Sequence, residues 1–233
     1  KVLNYYEKQN VVEIVPTTLS GNQGNVPYLQ HLDLISRHWV DRFKDEVVQL
    51  NDCFYKNMYK YKYITNLDTD EVIVPVANHN WTSLVNKVRK EMGDRKKISH
   101  FETFMVIFSG CEKKTPPYED IPSNMYMLQH VFSDRVNIND TPKSFFDAEL
   151  VKILNNHETI ACLLKKCDRY RISRNDAELF HYRDAPYSSE AWPCDELFRN
   201  NTINTILWRY KDQLKNRTLD TLYNLGLMPK VPQ

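Results

Sequence analysis

The alternation of apolar and polar positions predicts short strands and longer helices in the first half of the chain. Val11–Pro16 and Glu71–Pro75 are short β-branched runs closed by proline, a pattern typical of strands. From about Tyr28 to Met58, large apolar residues recur every three or four positions and predict a helix with one apolar face. A second helix is predicted from Trp81 to about Gly93, where the glycine ends it.

Further strands are predicted on both sides of the middle of the chain, and the loops and the C-terminal part follow from proline and glycine. One strand is predicted at residues 63–67, directly before the acidic residues near position 70. Further strands are predicted at residues 98–110, 144–154, 158–164 and 177–183. The segments 113–120 and 184–196 combine proline with polar residues and predict loops. The C-terminal part, about 195–228, is predicted to be helical, and Gly226 and Pro229 stop its last helix.

The order of these elements predicts the fold class. Helices and strands alternate in the first half of the sequence, which is the usual sign of an α/β protein with a parallel or mixed sheet. A chain of 233 residues is long enough for one large domain with a sizeable core. The sequence contains no internal repeat and no low-complexity linker. We therefore predict a single domain built on a mixed sheet flanked by helices.

The nearly balanced charge narrows the range of partners. The formal net charge is +1, so the chain has no overall electrostatic attraction to nucleic acid or to an anionic membrane. The run Tyr55–Tyr63 alternates aromatic and basic residues, but acidic residues precede it, and we interpret it as a helix end. No apolar run approaches the roughly 20 residues that a membrane helix needs. Because the chain begins at Lys1, any targeting or anchoring segment is expected upstream.

Cysteines and glycosylation sequons bear on the compartment. Five cysteines are present, and none forms a CxxC pair or a zinc-site spacing. They are interpreted either as five buried thiols or as two disulfides and one unpaired thiol of a luminal protein. Sequons at Asn80, Asn200 and Asn216 favour the luminal interpretation and are the predicted glycosylation sites.

An acidic turn, defined here as Asp68–Glu71, directly follows one of the predicted strands. Its carboxylates, Asp68, Asp70 and Glu71, repel one another unless a positive group lies nearby. In open α/β sheets, ligands bind beyond the carboxyl ends of the strands. A hard divalent cation would offset the repulsion and bridge to phosphate, as in transfer from a nucleoside diphosphate donor. The alternative interpretation is a solvated acidic turn, whereas the missing glycine and later ligand positions exclude an EF-hand loop.

Two blocks of sequence resemble glycosyltransferase family 92. The first is "NDCFYKNMYKYKYITNLDTDEVIVP" followed by "NWTSLV", in which a helix leads to a strand, an Asp-x-Asp-Glu turn and a second strand. The second comprises "PKSFFDAELVKILNNHETI" and "AELFHYR", which resemble later blocks of the family, including a His-Tyr-Arg motif. The resemblance covers roughly Lys1 to Arg183, and the order of the two blocks makes it specific.

The resemblance implies a GT-A-like, Rossmann-like fold and a metal-dependent galactosyltransferase. The expected donor is UDP-galactose with Mn²⁺, and the expected acceptor is an N-glycan or a galactosylated or fucosylated oligosaccharide. The family is inverting and makes β1,4 linkages. It also implies the Golgi lumen, with anchorage by an N-terminal transmembrane segment outside this chain. The opening block resembles one that follows the first βα units of the family, so part of the uridine pocket is expected to be missing.

The resemblance also implies roles for individual residues. Asp70 is expected to bind the metal directly, and Asp68 to contact the metal or the ribose. His181 would be a third protein ligand, with His157 as the alternative. Arg183 would face the diphosphate because a guanidinium forks onto phosphate oxygens. The predicted donor-binding set is Asp68, Glu71 and Arg183, with Glu71 supporting the turn.

The catalytic base is not identified by sequence. Glu102, Asp147 and Glu149 are carboxylates beside apolar strands that could be aimed at an acceptor hydroxyl. Each of them could equally be an exposed charge. Two other function classes stay open: a non-catalytic glycan- or metal-binding pseudoenzyme of the same fold, and a cytosolic metal-dependent enzyme that acts on phosphates.

Overall fold

The computed structural model describes residues 1–17, 28–29, 32, 36, 39–93, 97–109, 118–133, 142–183 and 202–228. Within these ranges the helices are α1 (Val2–Glu7), α2 (Trp39–Asn57), α3 (Trp81–Met92), α4 (Tyr126–Gln129) and α5 (Lys211–Asn224). A 3₁₀-helix at Ile206–Tyr210 leads directly into α5. The strands are β1 (Tyr63–Thr65), β2 (Glu71–Pro75), β3 (His100–Glu102), β4 (Phe104–Ser109), β5 (Phe132–Ser133), β6 (Ser144–Asp147), β7 (Val151–Leu154), β8 (Thr159–Cys162), β9 (Arg169–Arg171), β10 (Ala177–Arg183) and β11 (Thr202–Ile203).

Two mixed sheets organise the molecule. The larger has the strand order β1-β6-β3-β9, and the smaller has the order β2-β10-β4. In each sheet one pair is parallel, β3 with β9 and β10 with β4, and the other pairs are antiparallel. The strands β11 and β5, and the strands β7 and β8, form two further antiparallel pairs. The predicted class, a single α/β domain with mixed sheets flanked by helices, is confirmed.

One buried cluster belongs to both mixed sheets. The smaller sheet contributes Ile73 and Leu179, and the larger sheet contributes Phe101 and Phe145. Helix α3 adds Leu84, which is fully buried. Burial of apolar surface is the main favourable contribution to folding, so this shared core holds the two sheets together as one unit.

Helix α3 begins and ends as the sequence predicts. At its start, the Asn80 side chain accepts a hydrogen bond from the backbone N–H of Ser83 at 2.8 Å. At its end, Gly93 has φ +71°, a conformation that residues with a Cβ rarely adopt. Strand β2 and strand β10 also have the bounds of the runs from which they were predicted.

Helix α2 covers most of the helix predicted from about Tyr28 to Met58, and the described residues 28, 29, 32 and 36 before it are also helical. Phe54 is buried against Phe146 of the larger sheet. The Asn51 amide joins the helix to β7, since its Nδ2 donates to the Leu154 carbonyl at 2.8 Å and its Oδ1 accepts from the Leu154 N–H at 3.1 Å.

The acidic turn connects the two sheets. It leaves β1 of the larger sheet and enters β2 of the smaller sheet. Because β6 runs antiparallel to β1, with Phe145 opposite Thr65, the start of β6 lies beside the end of β1. In the smaller sheet, His181 of β10 is the register partner of Glu71. The pairing therefore brings the start of β6 and the end of β10 to the acidic turn.

The strand predicted at Val11–Pro16 is wrong. These residues form no strand, and all of them except Ile14 are exposed. A β-branched run becomes a strand only where a neighbouring strand can accept its backbone hydrogen bonds. None of the described strands pairs with this segment.

The C-terminal part is less uniformly helical than predicted. Thr202–Ile203 form a short strand, because they pair with β5, and within the described range 202–228 helical structure begins at the 3₁₀-helix. Residues 110–117 and 184–201 lie outside the described residues. They include the first part of the predicted loop 113–120, all of the predicted loop 184–196, and Asn200. Among the described residues, no helix combines the length and apolar character needed to cross a bilayer.

The cysteines do not match the interpretation of five buried thiols. Cys162 and Cys167 form a disulfide whose partners are five positions apart in sequence, and Cys53 is a free, exposed thiol. The remaining two, Cys111 and Cys194, lie outside the described residues. The disulfide agrees with the alternative of an oxidising compartment.

Candidate functional site

The acidic turn is closed by hydrogen bonds between its own ends. The backbone N–H of Glu71 donates to the carbonyl of Asp68 at 3.1 Å. In return, the Asp68 N–H donates to Oε2 of Glu71, also at 3.1 Å. The Glu71 side chain is 3% exposed, whereas the side chains of Asp68 and Asp70 are 52% and 41% exposed. Glu71 therefore points inward and supports the turn, and the two aspartates face outward.

The positive group that the acidic turn requires is Lys143. Its side chain is 0% exposed, and its Nζ lies 3.0 Å from Oδ2 of Asp68 and 3.1 Å from Oε2 of Glu71. It also donates to Oδ1 of Asn156. Burial alone would raise the pKa of Asp68, but the hydrogen bond and charge of Lys143 outweigh this effect, so the pKa is lowered.

Asp70 and His181 form the second part of the cluster. The Nε2 atom of His181 lies 3.3 Å from Oδ2 of Asp70, and its Nδ1 lies 3.6 Å from Oε1 of Glu71 and 3.4 Å from Sδ of Met105. The histidine side chain is buried, at 4% exposed, and lies beneath the half-exposed carboxylate of Asp70. The backbone is fixed as well, because the N–H of Tyr182 donates to the Asp70 carbonyl at 2.9 Å.

The cluster has the charge and spacing that suit a divalent cation. Three carboxylates and the ammonium of Lys143 leave two negative charges, counting His181 as neutral. Adjacent ligands of an octahedral hard cation lie about 3 Å apart, close to the separation of Asp70 Oδ2 and His181 Nε2. No group of three or more His, Cys, Asp or Glu side chains in the described ranges could hold a metal alone. Among the described residues, Asp70 and His181 are therefore the candidate pair of ligands.

His157 contacts the segment around Lys143. It belongs to the loop between β7 and β8, and its Nδ1 lies 3.1 Å from the carbonyl of Pro142. Its own carbonyl accepts a hydrogen bond from Ser144 Oγ at 3.2 Å. These contacts place His157 against the backbone around Lys143, whereas His181 is the histidine beside Asp70. Arg183 is the last residue of β10, and its side chain lies outside the described part of the structure.

Glu102 is at the same end of the larger sheet as the acidic turn, but it is enclosed in an ion-pair network. Its side chain is 1% exposed and contacts His100 at 3.3 Å, Arg169 at 3.2 Å and Arg171 at 3.0 Å. Burial would raise its pKa, but the hydrogen bonds from His100 and Arg171 and the charge of Arg169 lower it to about 2. A carboxylate held in this way is a weak proton acceptor.

The other two base candidates are at the opposite end of the larger sheet. Asp147 is the register partner of Tyr63 at the start of β1, so the length of β6, about 13 Å for four residues, separates it from Lys143. Asp147 and Glu149 line a separate cavity of about 260 Å³ together with Arg89. Burial raises the pKa of Asp147, and the nearby charge of Glu149 adds to this effect. The structure therefore does not bring these two carboxylates to the acidic turn.

The described glycosylation sequons are both accessible. Asn80 is exposed at the start of α3, where its Oδ1 caps the helix and its Nδ2 has no partner among the described residues. Asn216 is exposed on α5.

Sequence reasoning missed Lys143 and Asn156. A single lysine before an apolar run and an asparagine in a polar loop carry no periodic or motif signal. The only hint was the unbalanced negative charge of the acidic turn, which required a cation from elsewhere in the chain. That signal gives the charge of the partner but not its position.

Comparison with known protein families matches most of the chain. A family model described as Glycosyltransferase family 92 matches residues 1–218, which include the acidic turn, Lys143 and His181. No curated protein matches the chain.

Proposed function

The chain belongs to glycosyltransferase family 92, and from this premise we propose that it transfers galactose from UDP-galactose to a hydroxyl group of a glycan acceptor. Membership of the family supports transfer from a nucleotide-sugar donor to a glycan. The mixed sheets flanked by helices are consistent with a GT-A-like fold. The galactosyl donor, the β1,4 linkage and the inverting course are the finer parts of the proposal.

The observation that carries the proposal is the pairing of Asp70 with His181 in a cluster with two excess negative charges. These two residues would hold a divalent cation, for which we propose Mn²⁺, since carboxylate and imidazole are both suitable ligands. When bound, the cation would neutralise the charge that develops on the departing diphosphate. The half-exposed Asp68 carboxylate would accept a hydrogen bond from a donor hydroxyl.

The remaining residues of the predicted donor site have more limited roles. Glu71 orients the turn through the Asp68 N–H and Lys143. We propose that Arg183, as the end of β10 two residues after His181, faces the diphosphate. An inverting displacement also needs a base beside the acceptor hydroxyl. The geometry favours none of Glu102, Asp147 and Glu149 for this role, because the first is enclosed by arginines and the others lie at the far end of β6.

We also propose that the protein works in the Golgi lumen, anchored by an N-terminal segment outside this chain. The Cys162–Cys167 disulfide supports an oxidising compartment. The accessible sequons at Asn80 and Asn216 support exposure to the glycosylation machinery.

Calorimetric titration with UDP-galactose, in Mn²⁺ and then in EDTA, tests the donor site. Asp70→Asn removes one proposed ligand without changing the shape of the side chain. Asp168→Asn is the matched control, because among the described residues the Asp168 side chain pairs with the exposed Lys166, and Asp168 lies beside Ser99, at the end of the larger sheet away from the acidic turn. We expect binding that requires Mn²⁺ and is unchanged in the control. In Asp70→Asn, the affinity for UDP-galactose should fall by more than about 100-fold, because loss of a residue that only orients a metal ligand already costs roughly 10- to 100-fold.

Transfer assays on galactosylated and fucosylated acceptors follow from a positive titration. Metal-independent binding, or full binding by Asp70→Asn, would show that the acidic turn is not the donor site. Metal-dependent binding without transfer to any acceptor would favour the pseudoenzyme of the same fold.

A further inference from the structure

We propose that Lys143 is a built-in countercation that divides the acidic turn into two parts. It holds Asp68 and Glu71 as its own partners and leaves Asp70, with His181, to receive the cation. Lys143 is then a positioning residue for the proposed reaction, and Asp68 is not a direct metal ligand. This inference rests on the proposed function, because it concerns how the chain presents its ligands to the metal.

The first argument is the complete burial of the ammonium group. With a side chain that is 0% exposed, Lys143 has no contact with bulk water. A buried charge is tolerated only where partners replace its hydration. Its ammonium group donates hydrogen bonds to Asp68 and Asn156 and forms an ion pair with Glu71 at 3.1 Å. Each partner is therefore needed, and if Oδ2 of Asp68 left, the buried ammonium group would lose one of its two hydrogen bonds and a counter-charge.

The second argument is that the backbone around Lys143 is fixed from two sides. The Lys143 carbonyl accepts hydrogen bonds from the N–H of Thr103 at 3.0 Å and from its Oγ1 at 2.8 Å. On the other side, the His157 loop contacts the carbonyl of Pro142 and carries Asn156. The backbone at Lys143 is thus held by Thr103, between β3 and β4, and by the β7–β8 loop, and neither of these belongs to the acidic turn.

The third argument is the contrast between the two aspartates. Asp68 is paired with Lys143, whereas Asp70 has no Lys or Arg partner among the described residues and lies beside the His181 ring. The two carboxylates are similarly exposed, so accessibility does not distinguish them. Their partners do, because a carboxylate oxygen that already accepts from a buried ammonium is a poorer metal ligand than one that faces only an imidazole.

Substitution of Lys143 should therefore have an unusual effect on metal binding. Lys143→Met keeps the length of the side chain and removes its charge. Asp68 is then released, and the cluster gains a possible ligand and one net negative charge. We expect Mn²⁺ to bind about tenfold more tightly. In the double variant Lys143→Met/Asp68→Asn the gained ligand is absent, and Mn²⁺ affinity should return to within about threefold of the wild type.

Single substitutions of the aspartates test the same inference with Lys143 in place, since the amide oxygen of asparagine at position 68 can still accept a hydrogen bond from it. Asp68→Asn should weaken Mn²⁺ binding by less than about threefold, because only the overall charge changes. Asp70→Asn should weaken it beyond about 100-fold, because a direct ligand is lost. This comparison stands even if Lys143→Met does not fold.

The measurement is the electron paramagnetic resonance signal of free Mn²⁺, titrated with the full chain in the presence and absence of UDP. Circular dichroism reports the folding of every variant. A residue with only a structural role would weaken metal binding or leave it unchanged when substituted, so tighter binding by Lys143→Met is specific to the proposed positioning role.

Two outcomes would overturn the inference, and they have different meanings. If Asp68→Asn and Asp70→Asn weaken Mn²⁺ binding equally, Asp68 is a ligand and Lys143 does not divide the turn, but the donor site stands. If the wild type binds no Mn²⁺ even with UDP, the proposed function fails, and the inference fails with it.

Discussion

Lys143 and Glu102 are buried ionised side chains that differ in what surrounds them. Lys143 satisfies its charge with oxygen acceptors at the edge of the candidate site. Glu102 satisfies its charge with cationic and imidazole donors on the strands β3 and β9. The contacts of Lys143 order a turn that faces solvent, whereas the contacts of Glu102 join two parallel strands. This difference leads us to assign Glu102 to the stability of the larger sheet.

Substitution of Glu102 by Gln should destabilise the fold. The amide keeps the shape of the side chain but leaves Arg171 without its buried counter-charge, and loss of one partner of such a pair costs about 3 kcal/mol. The folded pKa is lowered from 4.5 to about 2, so the contribution of the carboxylate is present above pH 4.5 and is lost as pH falls towards 2. Urea unfolding at a series of pH values should show a difference between wild type and variant that shrinks across that window.

Glu158→Gln is the matched control for Glu102→Gln, since Glu158 is exposed in the β7–β8 loop. Its free energy of unfolding should match that of the wild type at neutral pH. A Glu102→Gln variant with full stability and a selective loss of transfer would instead assign Glu102 as the catalytic base.

The helices and strands differ in how far they follow from sequence. The apolar stripe and the terminal glycine of α3 are local signals, and the helix has the predicted bounds. Strands β2 and β10 follow from apolar runs buried in a sheet. Val11–Pro16 has the same local pattern but no pairing partner among the described strands, so it forms no strand and is mostly exposed. Local pattern thus predicts a strand only when the topology supplies a neighbour.

The start of helix α3 combines two separable properties of one residue. Asn80 caps the helix through Oδ1 and is also the acceptor residue of a sequon. Asn80→Ala should remove both properties and cost about 1 kcal/mol of stability through the lost cap. Thr82→Ala should remove only the sequon, because Thr82 is exposed and makes no capping hydrogen bond.

Two preparations distinguish these properties. In protein from a host that does not glycosylate, urea unfolding should show a loss for Asn80→Ala and none for Thr82→Ala. In protein from a secretory host, intact mass before and after glycosidase treatment should show that both variants lack a glycan carried by the wild type. A wild type without any glycan at Asn80 would remove one support for the luminal compartment.

At the scale of the whole molecule, the candidate site is assembled from segments that are far apart in sequence. The acidic turn was found because its residues are adjacent, and His181 because of a family motif. Lys143 reaches the turn only because β6 pairs antiparallel with β1, and a single sequence does not give that register. The same register moves Asp147 to the opposite end of the sheet. The residues of the acidic turn could therefore be predicted from sequence. The long-range contacts that bring Lys143 to the site and keep Asp147 away from it could not.

The shared core predicts which parts of the molecule should be stabilised when the donor binds. Ile73 and Leu179 of the smaller sheet pack in one cluster with Phe101 and Phe145 of the larger sheet, so the two sheets should unfold together. A ligand at 100 times its Kd adds about 2.7 kcal/mol to global stability, which slows amides that exchange by global unfolding about 100-fold. Hydrogen exchange with Mn²⁺ and UDP should therefore slow the core amides of both sheets equally, and Asp70→Asn should abolish the effect. Slowing confined to one sheet would show that the sheets open separately and that the acidic turn does not couple them.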